Sequence, residues 1–586
     1  MIGAAFFAVV DPNRRAAGGT VTGTPANLRL VFENALLTVY ADRATPTTDL
    51  GANGIALGSV FHKGSAAPVE MLDDASPSAL ARTLIARCWG DYVALIADPA
   101  QAAVHILRAP SGGVHAFRTR RGPVTYLASD IDMLCRTGIV RPAVDWAFVA
   151  HHLSFSHLHT GDTGIAGIDE VMPGDCAVEQ GTRHDRVNLW SPWHFVRSGG
   201  ARSFDDAART VQAAVVQSVE ALVAPSDKLA LELSGGLDSS IVAAALAATG
   251  RRAIAVNLST PGPEGDERHY ARAVAEHCRM PLVEKLVDGE IDLTESAASL
   301  EARPGMLAML RLADRQFAAI GEEQEVTGFI NGTGGDCVFC SLGTVAPATD
   351  RLHAGNMGLG LLRSIRDVAE VHNANLWKVT DLTLRKGRRR RPSPIWRRNS
   401  YFLNTDRLPA EPADHPWLVE PDNALGGSRA HIHAILASYS HLDGYGRQHI
   451  APSIFPLLSQ PVIETCVAIP SWLWVAGGRD RAVARAAFRG LLPDLTLNRR
   501  TKGGMEAFCA RTFEINRNRL RPFLLDGHLA AAGLLDASAI EAYLARPFAN
   551  RDTLFYHLLP IVDTERWVRG VVSSARDPAP AMARQR

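Results

Sequence analysis

The stretch Ser234-Gly235-Gly236-Leu237-Asp238-Ser239-Ser240 constrains this chain more than any other, because of what flanks it. Before it, Lys228 to Leu233 is a short apolar run of buried-strand length. After it, Ser240 to Ala248 is Ala-rich and predicts a helix that ends at Gly250. Strand, glycine turn and helix in that order deliver the backbone to the carboxyl edge of a sheet, where α/β proteins bind ligands. Gly235 and Gly236 allow a sharp turn and bring backbone N–H groups close to an anion. The dipole and unpaired N–H groups of the helix point at the same spot. Ser234, Ser239 and Ser240 add hydroxyl donors, so the turn reads as a cradle for the phosphates of ATP. No lysine follows the glycines, which excludes the G-x-x-x-x-G-K-[ST] loop, and the Asp238 carboxylate instead suggests a Mg²⁺ ligand.

The same design recurs downstream. Ala253 to Leu258 reads as a strand, Asp266 to Cys278 as a helix and Thr327 to Ile330 as a third strand. Strands alternating with helices imply a parallel sheet. Asn331-Gly332-Thr333-Gly334-Gly335-Asp336 then places glycines after a strand and a carboxylate at the end. If the two strands are neighbours, Asp238 and Asp336 can share one Mg²⁺. Phe204 to Val223 carries apolar residues at helical spacing and opens this α/β half.

The first ~190 residues have a different texture: short strands such as Leu28 to Phe32, Asp91 to Asp98, Ala103 to Arg108 and Val124 to Ala128, punctuated by Gly and Pro turns. A layered β-rich domain over 1–195 and an α/β domain over 203–586, joined by a linker at Ser198 to Arg202, suit a length of 586 residues. Residues 350–425 carry Arg385, Lys386, Arg388 to Arg391, Arg397 and Arg398, and read either as an exposed insertion or as a dock for an acidic partner. His431 to Phe488 reads as largely helical, and the last dozen residues as frayed. Lys plus Arg and Asp plus Glu balance at 61 each, which removes a global electrostatic case for nucleic-acid binding. No run reaches the ~20 apolar residues of a membrane helix, and the charges Asp11, Arg14 and Arg15 follow the apolar start, the wrong order for a secretory signal. A cytoplasmic location is the expectation. The 8 cysteines suggest no disulfide framework, and the pair Cys337 and Cys340 lacks a second pair at zinc spacing.

At these motifs the chain resembles the asparagine synthetase superfamily. In the N-terminal half, Gly90-Asp91-Tyr92 to Asp98, Ala128-Ser129-Asp130, and Gly167-Ile168 through Pro173-Gly174 to Trp190 look like its glutaminase (Ntn-type) domain. In the C-terminal half, Pro456 to Pro461 and Arg499-Arg500-Thr501-Lys502-Gly503 resemble its later motifs. The resemblance implies an AMP-forming, pyrophosphate-releasing synthetase fold with a helical extension. That family's glutaminase uses a cysteine at position 2, where this chain has Ile2, so the resemblance implies a β-rich domain without its nucleophile. The branches that use an amine already on the substrate are β-lactam synthetases and lasso-peptide cyclases. Gly334-Gly335-Asp336-Cys337-Val338-Phe339-Cys340, Pro470 to Trp474 and Gly477-Gly478-Arg479-Asp480-Arg481 resemble the lasso-peptide cyclases. Thr333 stands where asparagine enzymes carry Glu and β-lactam enzymes Tyr, so those base assignments do not carry over.

This resemblance implies a mechanism. A peptide's Asp or Glu side chain would attack the α-phosphate of ATP, with pyrophosphate on Ser234, Gly235, Gly236, Ser239, Ser240 and Gly334, and Mg²⁺ on Asp238 and Asp336. Adenine would lie against Val256, Leu258 and Gly332, and Lys502 would stand over the reacting centre as the catalytic cation. The peptide's own N-terminal amine would then close a macrolactam, with no base named; Glu267, at a helix start, is either a dipole partner or that base. The expected partners are a precursor peptide after leader removal, a leader peptidase and a leader-binding protein. Two rivals stand beside this reading, a small-molecule amide former such as a β-lactam synthetase and a non-catalytic nucleotide-binding scaffold.

Overall fold

A computed structural model describes residues 4–11, 25, 27–72, 76–196, 203–262, 266–296, 300–305, 308–355, 358–388, 396–500, 503–547 and 552–576. Ile2, the linker Ser198 to Arg202, Arg389 to Arg391, Lys502 and the last ten residues lie outside them. Among the described residues no helix is long and apolar enough to cross a membrane.

The β-rich half is two six-stranded antiparallel sheets. The first has Phe6–Val10 between Val124–Ala128 and Leu37–Ala41; the second has Cys88–Asp98 between Gly54–His62 and Ala103–Arg108. Side chains alternate along each strand. Phe6, Ala8 and Val10 therefore face Val93, Leu95 and Ala97 in a core between the sheets. Phe7 and Val9 face outward into a helical core that includes Ile131, Leu134 and Phe148, and Tyr92, Ala94 and Ile96 share a core with Leu80 and Leu84 of the helix Pro77–Arg87, which packs on their strand. Both outer faces are thus covered by helices, which explains why the central strands are apolar on both sides.

The α/β half is built on a five-stranded parallel sheet ordered Leu282–Leu286, Ala253–Ser259, Leu229–Glu232, Gly328–Ile330, Ser453–Ile454. The helix Phe204–Val223 forms because Ser203 caps it, accepting from Asp206 N at 3.1 Å, and because Val211, Val215 and Val219 repeat on one buried face.

Three expectations change. The helix after the glycine turn starts at Leu237, not Ser240, because the extended Gly236 serves as its N-cap. The segment His431 to Phe488 is a series of short helices, and its strand Ser453–Ile454 joins the sheet beside Gly328–Ile330. Residues 350–425 are no plain insertion: the helices Ala346–His353, Leu359–Val371 and Leu376–Arg388 share a core of Ala348, Ile365, Val368 and Val379 with Val475.

A buried charge network ties the halves together. Glu170, fully buried, accepts from Arg108 Nη1 at 2.6 Å, His115 Nδ1 at 2.6 Å, His159 Nε2 at 3.0 Å and Arg303 Nη2 at 2.6 Å. His115 Nε2 reaches across to Asp443 at 2.9 Å. Burial opposes charging of His115, but Asp443 and Glu170 outweigh it and lift the imidazole to about 9. Asp443 is correspondingly held down at about 2, its burial overcome by His115 and Arg303. A pKa raised in the folded state stabilises the fold fully below the ordinary value of ~6.5 and loses that contribution as pH rises through the folded value. The melting temperature should therefore fall between pH 7 and pH 10 in part through His115. His115→Gln should melt lower at pH 7 with a flatter decline above it; an unchanged slope in calorimetry would remove His115 from the account.

Candidate active site

The strands Leu229–Glu232 and Gly328–Ile330 are hydrogen-bonded neighbours, so their two glycine loops leave the same sheet edge side by side. Gly235 sits at φ +78°, and a Cβ there would lie 2.7 Å from Tyr270 Cβ, so any side chain is excluded twice over. A Cβ on Gly335 would lie 2.5 Å from Asp238 Cβ, which is how closely the second loop presses on the first. Gly332 packs against the Asp238–Ser239 backbone in the same way, and Gly334 against Leu458. Within the first loop, Ser234 Oγ lies 3.1 Å from Ser239 Oγ and accepts from Gly236 N at 3.3 Å. Ser240 Oγ donates to Gly236 O at 2.7 Å.

The packing brings Asp238 and Asp336 onto one cation, the guanidinium of Arg481. Its Nη1 donates to both Asp238 oxygens at 3.1 Å and to Asp336 Oδ1, while Nε donates to Asp480 at 2.8 Å. Burial opposes the charge on Arg481, yet Asp238, Asp480 and Asp336 outweigh it and raise its pKa above the ordinary guanidinium value. Arg481 has φ +48° and ψ 35°, a left-handed backbone that costs a non-glycine residue about 1–3 kcal/mol. The sequence motif contained Arg481 but gave it no role. Its signal was the spacing Arg479, Arg481, Arg485, Arg499, Arg500, which the fold gathers at one place.

That place is a cavity of about 300 Å³ beside Asp238, lined by those five arginines and by Asp238, Glu370 and Asp480 among others. The cationic surplus suits a polyphosphate. Asp238 and Asp336 also fit Mg²⁺, which takes one or two protein carboxylates and completes its shell with phosphate oxygens and water. The described residues hold no cluster of three or more His, Cys, Asp or Glu side chains that would form an all-protein metal cage.

Glu267 is occupied structurally. It pairs with Arg499 and accepts from Gly503 N at 2.5 Å. Arg499 in turn lies 4.0 Å from the centre of the Tyr270 ring and donates to Gly235 O at 3.2 Å. This brace ties Gly503, the residue next to Lys502 in sequence, to the first glycine loop. Lys502 itself lies outside the described residues. Val256 is fully buried, its carbonyl accepting Leu233 N at 2.9 Å, while Leu258 is half-buried nearer the strand end. Asn257, which sequence reasoning passed over, donates to Leu233 O at 2.8 Å and so supports the turn from below. Cys337 is pushed up to about 11, mainly by burial and then by Asp336 and Asp238, and Cys340 is fully buried.

The family profile described as Asparagine synthase matches residues 210–569, well over half of the chain. The chain belongs to that family. The match spans the two glycine loops, Arg481 and the Arg499–Gly503 segment, so this asparagine synthase family member is an ATP-dependent, amide-forming ligase. No curated protein matches the chain. Two solved structures are similar to it. One is described as the allosteric regulatory enzyme of purine biosynthesis (9% identity, 50% of this chain and 77% of that one, TM-score 0.19). The other is a glutamine phosphoribosylpyrophosphate (PRPP) amidotransferase from B. subtilis complexed with ADP and GMP (10% identity, 50% and 76%, TM-score 0.18). Similarity at that level leaves the fold assignment resting on the sheets described above.

Replacing Arg481 by Met should remove the guanidinium that Asp238 and Asp336 share. In chelator the variant should melt below the wild type, and millimolar Mg²⁺ should recover more of the loss than it adds to the wild type. Equal Mg²⁺ response in both proteins, read by thermal shift, would mean that Arg481 and the metal do not share this position.

Proposed function

We propose that this synthase closes a macrolactam in a peptide, adenylating an Asp or Glu side chain and handing it to the peptide's own N-terminal amine. The observation that carries the activation step is the convergence of Asp238 and Asp336 on one cation position beside the arginine-lined cavity. A carboxylate oxygen of the substrate attacks the α-phosphorus, the bond from that phosphorus to the bridging oxygen breaks, and pyrophosphate departs. Ser234, Ser239, Ser240 and the N–H groups after Gly235 bind the departing charge, as does the N-terminus of the helix Leu237–Ala248. Mg²⁺ on Asp238 and Asp336 would neutralise the phosphate oxygens. The amine then attacks the acyl carbon, its proton is lost, and AMP leaves with one of the carboxyl oxygens. In this reading Lys502, next in sequence to Gly503, would stabilise the charge that develops on the phosphate and the tetrahedral centre.

A substrate-borne amine is favoured by the state of the sulfur groups. All 8 cysteines are free, and burial raises every one of their thiols, those of Cys135 and Cys176 in the β-rich half to about 12. None of them has the lowered pKa of a nucleophilic glutaminase thiolate. The peptide substrate, as against a free amino-acid derivative, rests on the likeness of Gly334 to Cys340 to the lasso-peptide cyclases, with a leader peptidase and a leader-binding protein as the partners proposed with it.

The test is mass spectrometry of a leader-free precursor peptide incubated with the protein, ATP and Mg²⁺, with nucleotides read alongside. Loss of one water from the peptide with matching AMP is expected. AMP without peptide change would favour the small-molecule reading, and no AMP with any carboxylate would favour the scaffold. Asp238→Asn and Lys502→Ala should stay folded and lose product by roughly 10²-fold or more, the usual effect of removing one preorganised charge contact. Normal turnover by either would remove that residue from the mechanism.

A further inference from the structure

We infer that the outward faces of the helices Leu359–Val371 and Leu376–Arg388 dock an acidic, apolar-bearing polypeptide, the substrate chain itself, at the entrance to the arginine-lined cavity. The inference rests on the reading that the substrate is a polypeptide. The inward faces of the two helices are spent on the shared core around Ile365, Val368 and Val379. Their outward faces carry large apolar side chains in water: Leu359 is 84% exposed, Leu362 62% and Trp377 80%. Scattered exposed leucines need no explanation, but three large apolar side chains this exposed on two helices that pack together make a surface of the kind that binds partners. A tryptophan in particular is favoured at binding hot spots.

The position of the patch identifies what it serves. Leu359, Arg363, Arg366 and Glu370 follow one another at four, three and four residues and so lie along one face of their helix. That face spans about 16 Å at 1.5 Å per residue. Its far end, Glu370 with Val371 and Asn373, lines the cavity that holds Asp238 and Arg481. Trp377 opens the next helix four residues past Asn373, its N–H capped by Asn375 Oδ1 at 2.8 Å. A track of Leu359, Leu362 and Trp377 therefore leads to the place where the activated carboxylate must arrive.

Charge sets the chemistry of the occupant. Residues 359–388 hold six basic side chains (Arg363, Arg366, Lys378, Arg385, Lys386, Arg388) against three acidic ones. Of those three, Asp367 accepts from Gly478 N and pairs with Arg366, Asp381 pairs with Arg385 and Glu370 with Arg500, so the surplus rests on Arg363, Lys378, Lys386 and Arg388. The surface left over is cationic with an apolar stripe, complementary to a segment carrying both Asp or Glu and large apolar residues. An anionic lipid surface shares the chemistry, but a lipid surface has no need of a track that ends inside a cavity.

The experiment is fluorescence anisotropy with a labelled synthetic peptide rich in Glu and Leu, its counterpart with Lys for Glu, and phosphatidylglycerol vesicles. Wild-type protein should bind the acidic peptide and not the basic one. L362E/W377A should weaken binding at least about tenfold, as loss of a hot spot does, and R363E/K378E, which leaves the apolar stripe intact, should weaken it too. Circular dichroism checks that both remain folded, as exposed positions should. Unchanged affinity in both folded variants, equal binding of the basic peptide, or binding of vesicles alone would overturn the proposal. AMP release assayed on the same samples separates the two ideas: docking without AMP release from any peptide would sink the macrolactam reading and leave the dock. AMP release that survives with no docking would do the reverse.

Discussion

The close contact between two glycine loops is the constraint on which this site depends. The sheet order puts Leu229–Glu232 beside Gly328–Ile330, but neighbouring strands alone would leave their loops a side chain apart. Gly335 and Gly332 remove that side chain, so the backbone of the second loop lies directly against Asp238 and Ser239. Only then can carboxylates from two loops reach one cation. The hydroxyls of Ser234, Ser239 and Ser240 are meanwhile turned on one another and on Gly236.

Two carboxylates held that close repel each other unless something positive stands between them. In this structure Arg481 fills that role, and it does so from a backbone conformation that a non-glycine residue adopts only at a cost. Three carboxylates on one guanidinium account for why it stays there. Arg485 and Asp480 hold the base of Arg481, with Arg485 Nη2 on Asp480 at 2.9 Å, so the bridging group is itself supported.

Much of this was legible in the sequence, and the parts that were not share a physical cause. The strands Ala103–Arg108 and Val124–Ala128 and the helix Phe204–Val223 have the bounds their apolar patterns predict, because each pattern is local. The two loops were legible because glycine positions after strands carry a steric meaning. Arg481 was not, since an arginine's role depends on which carboxylates the fold brings to it from 145 and 243 residues away. The strand Ser453–Ile454 is two residues long and has no period to detect. The helices within 350–425 were hidden because their basic and apolar residues mix on the outward side, which reads as loop until the buried Ile365, Val368 and Val379 are seen to share a core.

The β-rich half is bonded directly to the α/β half. Trp190 Nε1 donates to Glu464 at 2.8 Å, Trp193 Nε1 to Trp417 O at 2.7 Å and Tyr439 OH to Pro110 O at 2.9 Å. The first of these bonds lands on the helix Gln460–Val467, which follows directly on Leu457 and Leu458. Leu458 is the side chain that packs against Gly334. The chain of contact from Trp190 to the second glycine loop is therefore short. Removing the β-rich half would uncover Ala221 of Phe204–Val223, which packs with Phe61 and Trp89, and would take the Trp190 hydrogen bond from the helix next to Leu458. The β-rich half thus bears on where the carboxylates meet.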